Sequence, residues 1–151
     1  MSRFAAVLPL ILLGALGAPP VVAQDAAPPA ATTQSPMQAG WQDVITGQIE
    51  AFRTGDATAA FGFAGAGFQT NFTSADAFFT AILNSGYGPI AESRMHNFGS
   101  FRMVDETTVL QTVDLVGRDQ VLHQAIYQLT LEEGGWRVLG VQLRAGAGVA
   151  A

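Results

Sequence analysis

The sequence contains no cysteine and no lysine, and each absence excludes a kind of chemistry. Without cysteine, the 151-residue chain has no disulfide, no thiol nucleophile and no thiolate ligand for a metal. Its seven basic residues are all arginine and are scattered along the chain, while twelve acidic residues leave a net charge of −5. This charge balance argues against nucleic acid and against an anionic membrane surface as partners.

Histidine is also scarce, since His96 and His123 are the only two. Two imidazoles are too few for a metal site without carboxylate ligands. The patterns G-x-S-x-G and H-E-x-x-H are absent, and so are a P-loop and a dinucleotide-binding glycine motif. We therefore expect neither a metal nor a cofactor.

The N-terminus has the pattern of an export signal. Arg3 precedes an apolar run, and small residues at Val21 and Ala23 predict a signal peptide over residues 1–23, with export to the periplasm or the medium. The alternative is an uncleaved anchor, but the run is shorter than the ~20 residues of a membrane span. Residues 24–37, rich in Ala, Pro, Thr and Gln, predict a disordered tether. One domain over 38–144 follows, then a flexible tail over 145–151, with no membrane span after cleavage.

The first half of the domain has helical spacing. The first predicted helix has an apolar stripe formed by Trp41, Val44, Ile45, Ile49 and Phe52. Gly55 is expected to end it and Asp56 to cap a second, short helix, which a glycine-rich loop over 62–67 follows. Ser74 is expected to cap a third helix, and Gly86 to end it. The buried stripe of this third helix is Phe78, Phe79, Ile82 and Leu83.

The second half alternates between apolar and polar residues. The alternation predicts strands at about 93–103, 107–116, 121–132 and 136–143. Three helices followed by such a meander predict an α+β domain, in which the helices pack on a curved four-stranded antiparallel sheet.

The turn at residues 117–120 determines the register of the second and third strands. An even loop places Asp114 opposite His123, whereas a three-residue loop reverses the parity. In the even register, both sheet faces are too apolar for one of them to face water. One face is then expected to cover the helices, and the other to bind a second copy of the chain or a partner. The face expected to be free carries Val109, Val113, Ile126 and Val141.

The same register yields a candidate site. Direct antiparallel partners are close enough for a carboxylate–imidazole hydrogen bond, so Asp114 and His123 are either an acid–base pair or a structural pair. Tyr127 would share their face, and Tyr87, at the exit of the third helix, could close a cavity beside it. The candidate ligand-binding residues are therefore Tyr87, Asp114, His123 and Tyr127.

Several sequence segments resemble those of one bacterial family. AFRTGDATAAFGFA, FFTAILNSGYGPI and AIYQLTLEEGGWRVLGVQL, read in this order, are similar to the domain of unknown function 4864. The most specific pieces are Ala-Phe-x-x-Gly-Asp at residues 51–56 and Trp-x-Val-x-x-Val at 136–141. The family resembles the nuclear-transport-factor-2-like (SnoaL-like) superfamily, which implies a curved sheet wrapped around helices as a cone. It implies no particular reaction.

Three functions remain open from the sequence. The first is non-catalytic binding of a small apolar ligand or a protein partner. The second is a lyase, isomerase or hydrolase that uses Asp114 and His123, as the superfamily resemblance allows. The third is a self-associating structural domain, such as a homodimer formed through a sheet face.

Overall fold

The computed structural model describes residues 36–149, with side chains from 40 to 146. The predicted signal peptide and all of the predicted tether up to residue 35 lie outside the described residues. The described part consists of helices followed by a four-stranded antiparallel sheet, as predicted. No helix in this part of the chain has the length and hydrophobicity of a membrane span.

The first two helices follow the predicted signals. Helix α1 spans Pro36–Thr54, so it begins two residues before the predicted domain start, and Gly55 follows it with a φ of +73°. Asp56 accepts a hydrogen bond from the Ala59 N–H at 2.9 Å, which caps α2, Ala57–Gly62. The predicted α1 stripe is buried at Trp41, Ile45, Ile49 and Phe52, with Val44 partly buried.

The glycine-rich segment contains a helix that the sequence pattern did not predict. Helix α3 spans Ala66–Asn71, and its first N–H, that of Ala66, donates to Glu132 Oε1 at 3.1 Å. A carboxylate from the end of a distant strand therefore serves as the N-terminal cap. A cap supplied through tertiary contact leaves no local signal in the sequence.

Helix α4, Ala75–Ile82, begins where Ser74 Oγ accepts a hydrogen bond from the Ala77 N–H at 3.1 Å. A π-helical turn follows over Leu83–Tyr87, in which Gly86 has a φ of +93°. Gly86 thus has the left-handed conformation expected of a helix stop, yet the chain resumes as α5, Gly88–Ala91. Pro89 lies in the first turn of α5, where a residue without an N–H is tolerated.

The four strands form one sheet in the order β1-β2-β3-β4. Their bounds are β1 Met95–Asp105, β2 Thr108–Val116, β3 Val121–Glu132 and β4 Gly135–Val149.

Strand β4 extends into the segment that was predicted to be a flexible tail. Residues 145–149 pair with the start of β3, with Ala145 opposite His123 and Val149 opposite Val121. The close approach depends on Gly146, because a Cβ there would lie 2.5 Å from the Leu122 carbonyl oxygen.

The turn between β2 and β3 overturns the predicted register. The Gln120 N–H donates to the Gly117 carbonyl at 3.1 Å, and the Gly117 N–H donates to the Val121 carbonyl at 3.0 Å. Gln120 has a φ of +61°, so residues 118–120 form a three-residue loop that ends in the left-handed conformation. The pairing shifts by one residue, and Val116 lies opposite Leu122.

This shift also decides which sheet face is the core. The face packed on the helices carries Val109, Val113, Leu115, Ala125, Tyr127, Leu129, Trp136 and Val138, all buried. The predicted partner face was therefore wrong. Val109 and Val113 belong to the core, and Val141 is partly buried against it. Ile126 lies on the other face of the sheet, where its cross-strand partner is Thr112.

The outer edge of β4 is partly covered by the chain itself. The Val138 N–H donates to the Phe63 carbonyl and the Gly65 N–H donates to the Val138 carbonyl, both at 2.9 Å. The segment before α3 thus satisfies backbone groups that an edge strand would otherwise expose.

Candidate functional site

The structure separates Asp114 from His123. Asp114 lies opposite Gln124 and accepts a hydrogen bond from its Nε2 at 3.0 Å. His123 lies opposite Leu115, on the face packed against the helices. Successive residues of a strand point to opposite faces, so the two side chains lie on different sides of the sheet. The predicted acid–base pair was therefore wrong, because it required a loop with an even number of residues.

The structure brings the other two predicted site residues together. Tyr87 and Tyr127 both line a cavity of about 180 Å³ between the helices and the strands β3 and β4. The helical wall includes Phe52, Phe68, Phe78 and Ile82, and the sheet contributes Val138 and Val141. The cavity is thus lined mainly by aromatic and aliphatic side chains, as small-molecule sites usually are.

Tyr127 contributes a polar atom that has no partner. The residue is fully buried, and its hydroxyl makes no hydrogen bond with any residue that the structure describes. Burial raises the pKa of Tyr127 above its usual range, so the phenol is neutral and keeps its proton to donate. A buried hydroxyl without a partner is costly and is a place where a ligand or a water is expected.

The other polar side chains on the wall already have partners. The Tyr87 hydroxyl donates to the Val141 carbonyl at 2.8 Å and thereby ties the π-helical turn to the edge of β4. Gln48 Nε2 donates to the Ala60 carbonyl at 3.2 Å, which ties α1 to α2. These bonds hold the wall in place and leave the Tyr127 hydroxyl as the unpaired group.

One residue organises the aromatic wall. The ring of Phe78 lies 5.2 Å from that of Phe61, 5.5 Å from Phe72 and 5.8 Å from Phe68, measured between centroids. The angles between the ring planes range from 43° to 81°, in the tilted and edge-to-face arrangements that aromatic pairs prefer. This packing keeps α2, α3 and α4 fixed around the cavity.

Sequence reasoning missed most of the wall. Gln48, Phe68 and Val138 are on separate elements, and no spacing rule predicts that they face the same empty space. The alternation within β3 was the available signal, since it places Tyr127 on the same face as Ala125 and Leu129. Among residues 36–149, no three His, Cys, Asp or Glu side chains are grouped as metal ligands would be.

The fold defines the class of protein: a small α+β domain whose helices cover one face of a four-stranded antiparallel sheet and border an apolar cavity. The chain belongs to the family described as a domain of unknown function (DUF4864), which matches residues 34–151. The resemblance found in the sequence is thereby confirmed for the family.

No curated protein matches the chain. Among solved structures, it is similar to an NTF-2-like protein of unknown function from Silicibacter pomeroyi DSS-3, with 15% identity and a TM-score of 0.47. The similarity covers 72% of this chain and 94% of the other.

Proposed function

We propose that the domain binds a small, largely apolar molecule in the cavity between its helices and its sheet, without catalysing a reaction. The observation that carries the proposal is the apolar cavity, one of whose lining residues, Tyr127, has a buried hydroxyl with no hydrogen-bond partner among the described residues. A ligand with one hydrogen-bond acceptor would satisfy this donor while its apolar body fills the space.

The size of the cavity limits the ligand. A dry engineered cavity of about 150 Å³ is enough to hold benzene. The volume here, about 180 Å³, accommodates one ring with a short substituent. Tyr127 and the rings of Phe52, Phe68 and Phe78 then supply the two features expected of such a site, which are apolar contact and one oriented polar group.

The lack of an acid–base pair favours binding over the enzymatic alternative. That alternative depended on contact between Asp114 and His123, and these side chains lie on opposite faces of the sheet. Two titratable groups, the phenols of Tyr87 and Tyr127, lie on the cavity wall. Burial raises the pKa of Tyr127 and makes it a poor base, and the Tyr87 hydroxyl already donates to the Val141 carbonyl.

Two probes of similar shape test the proposal. Acetophenone has a carbonyl acceptor and ethylbenzene does not, so acetophenone should bind more tightly and raise the melting temperature more. In Tyr127→Phe, which removes just the hydroxyl, the two probes should bind equally. The proposal fails if neither probe gives saturable shifts of the Phe78 and Val138 NMR signals, or if Tyr127→Phe keeps the preference for the ketone.

Self-association is the second candidate, on a surface different from the one the sequence predicted. Strand β1 is an edge of the sheet, and it exposes four large apolar side chains, Met95, Phe101, Met103 and Val104. An exposed apolar edge is where a second copy would pair. Light scattering should show a dimer that Val104→Lys converts to a monomer, and a monomeric wild type at high concentration would contradict it.

We also propose export, which is supported by the sequence of residues 1–23 alone. Cleavage after Ala23 would leave Gln24 as the first residue. Intact-mass measurement of protein recovered from the periplasm or the medium tests export with cleavage. Recovery of the full-length mass there would contradict cleavage and favour an uncleaved anchor.

A further inference from the structure

Three arginines that are far apart in the sequence line one polar cleft. Arg53, Arg94 and Arg118 border a cleft of about 670 Å³, together with Glu50 and Ser93. They make up three of the seven arginines of a chain whose net charge is −5. The seven arginines are scattered along the sequence, but the fold brings these three together.

The backbone brings the three side chains to one end of the sheet. Arg53 lies in the last turn of α1, Arg94 immediately before β1, and Arg118 in the turn between β2 and β3. The Arg94 N–H donates to the Val116 carbonyl at 2.8 Å, which holds Arg94 beside the strand that leads into the turn.

The guanidinium of Arg53 is held in place by a buried partner. Its Nε and Nη2 both donate to Ser93 Oγ, at 3.2 Å and 3.0 Å. Ser93 is 4% exposed and its own hydroxyl donates to the Ile90 carbonyl at 2.7 Å. The orientation of Arg53 is therefore set by the protein before any ligand arrives, which lowers the entropic cost of binding.

The positive charge of the cleft is neutralised in part. Within residues 36–149 there is one ion pair, between Arg53 Nη1 and Glu50 Oε2 at 3.5 Å, and the Glu50 side chain is 60% exposed. Such a surface pair is weak. Three guanidinium groups and one carboxylate leave an excess of two positive charges in the cleft.

The surroundings of His96 show the same excess of positive charge. Its Nδ1 lies 3.5 Å from Arg53 Nη2, and its Nε2 lies 3.1 Å from Thr46 Oγ1. Burial and the charge of Arg53 lower the pKa of His96, while Glu50 raises it by a smaller amount. The field of Arg53 at the imidazole is therefore not cancelled by its carboxylate partner.

We propose that this cleft binds a phosphate group, through the guanidinium groups of Arg53, Arg94 and Arg118. A phosphate monoester carries between about one and a half and two negative charges at pH 7 and has three acceptor oxygens, which match the excess charge and the three donors. Guanidinium forks also suit phosphate geometry, because two parallel N–H groups can bind two oxygens. The cleft is larger than phosphate alone and leaves room for an organic substituent.

The proposal is tested by adding ligand to the full chain at constant ionic strength and following the NMR signals of its backbone amides. Inorganic phosphate and glycerol phosphate are the probes, and the amides of Arg94 and Gly117 are the reporters. Saturable shifts at these amides are expected for both probes. Tighter binding of the monoester would assign the site to an organic phosphate, and equal binding would assign it to phosphate itself.

Matched variants separate a site from general charge attraction. Arg94→Gln and Arg118→Gln should each weaken binding about tenfold, the loss expected when a hydrogen bond to a charged group is removed. Arg102→Gln removes the same charge from a different part of the surface and should leave binding unchanged. The proposal is overturned if the shifts do not saturate, or if Arg102→Gln weakens binding as much as Arg118→Gln. Failure here would leave the apolar cavity proposal intact, since the two sites share no lining residue.

Discussion

Trp41 donates its indole N–H to the side-chain oxygen of Gln111 at 3.0 Å, joining the first helix to the middle of the sheet. Gln111 is fully buried, and its Nε2 donates to the carbonyls of Gly99 at 3.0 Å and Thr112 at 2.9 Å. Gly99 lies where the pairing of β1 with β2 shifts between Phe98 and Phe101. The amide therefore satisfies backbone groups that the irregularity in β1 leaves without ladder partners.

Replacing this amide should be costly. Gln111→Leu leaves the buried Trp41 N–H without a partner and removes the hydrogen bonds to the Gly99 and Thr112 carbonyls, so we expect a loss of about 3 kcal/mol in the free energy of unfolding. Urea unfolding measures it. Gln124→Leu makes the same chemical change on the other, half-buried face and should cost about 1 kcal/mol or less. Equal losses in the two variants would contradict the role assigned to Gln111.

Glycine in place of Gln120 should stabilise the turn between β2 and β3. Its φ of +61° lies in a region that disfavours residues with a Cβ, and glycine is free of that cost. Gln120→Gly should raise the free energy of unfolding by about 0.5 kcal/mol, because the greater freedom of glycine in the unfolded chain offsets part of the gain. Gln128→Gly, at an extended position of β3, should instead lower it by about 1 kcal/mol. A loss of stability on Gln120→Gly would refute the turn geometry.

Local signals were enough to predict most of the fold. Gly55, Asp56 and Ser74 act where their side chains or backbone freedom indicated, because caps depend on residues a few positions apart. The four strands follow from alternation for the same reason. Features that depend on distant residues were not predicted. Helix α3 relies on Glu132, far along the chain, for its cap.

The candidate site was harder to predict, because the φ angle of Gln120 sets the register of β2 and β3 and thereby which residues face each other. Residues such as Asn and Gly announce a left-handed turn position, but the residue here is Gln120. The sequence was therefore compatible with an even loop as well as with the three-residue loop. The three-residue loop that forms places Gln124, and not His123, opposite Asp114. The arginine cleft did have a signal. The predicted start of β1 and the turn after β2 lie at the same end of an antiparallel sheet, which places Arg94 near Arg118.

The two charged neighbours of His96 should shift its titration in opposite directions. Arg53→Gln removes a charge that lowers the pKa of His96, so the pKa should rise toward 6.5. Glu50→Gln removes a charge that raises it, so the pKa should fall further. NMR titration of the imidazole protons measures both variants. Shifts of the same sign would contradict the arrangement around the imidazole.

The lowered pKa of His96 also predicts a pH dependence of stability. The folded state binds its proton less readily than the unfolded state, whose pKa is 6.5. The contribution of neutral His96 is therefore fully present above that unfolded value and is lost as the pH falls through the lower folded pKa. Wild type should lose more stability than His96→Gln between neutral and mildly acidic pH, as measured by urea unfolding. Parallel profiles would exclude this linkage.

The two tyrosines of the cavity should respond differently to loss of the hydroxyl. Without ligand, Tyr127→Phe removes a buried group that has no partner and should raise the free energy of unfolding by up to about 1 kcal/mol. Tyr87→Phe breaks the bond to the Val141 carbonyl and should lower it by about 1 kcal/mol. Thermal unfolding of both variants measures the difference. A clear loss in Tyr127→Phe would reveal a partner for its hydroxyl.

The contacts of Trp41 have a consequence for the order of folding. Its partners in the folded state are Gln111, 70 residues further along the chain, and the rings of Phe101 and Trp136. A helix whose buried face is completed by the last strand gains little from forming early, since the long loop between the partners must close first. During synthesis, α1 therefore has no stable place to dock until β4 has left the ribosome, and a chain that stops short of Trp136 should remain unfolded.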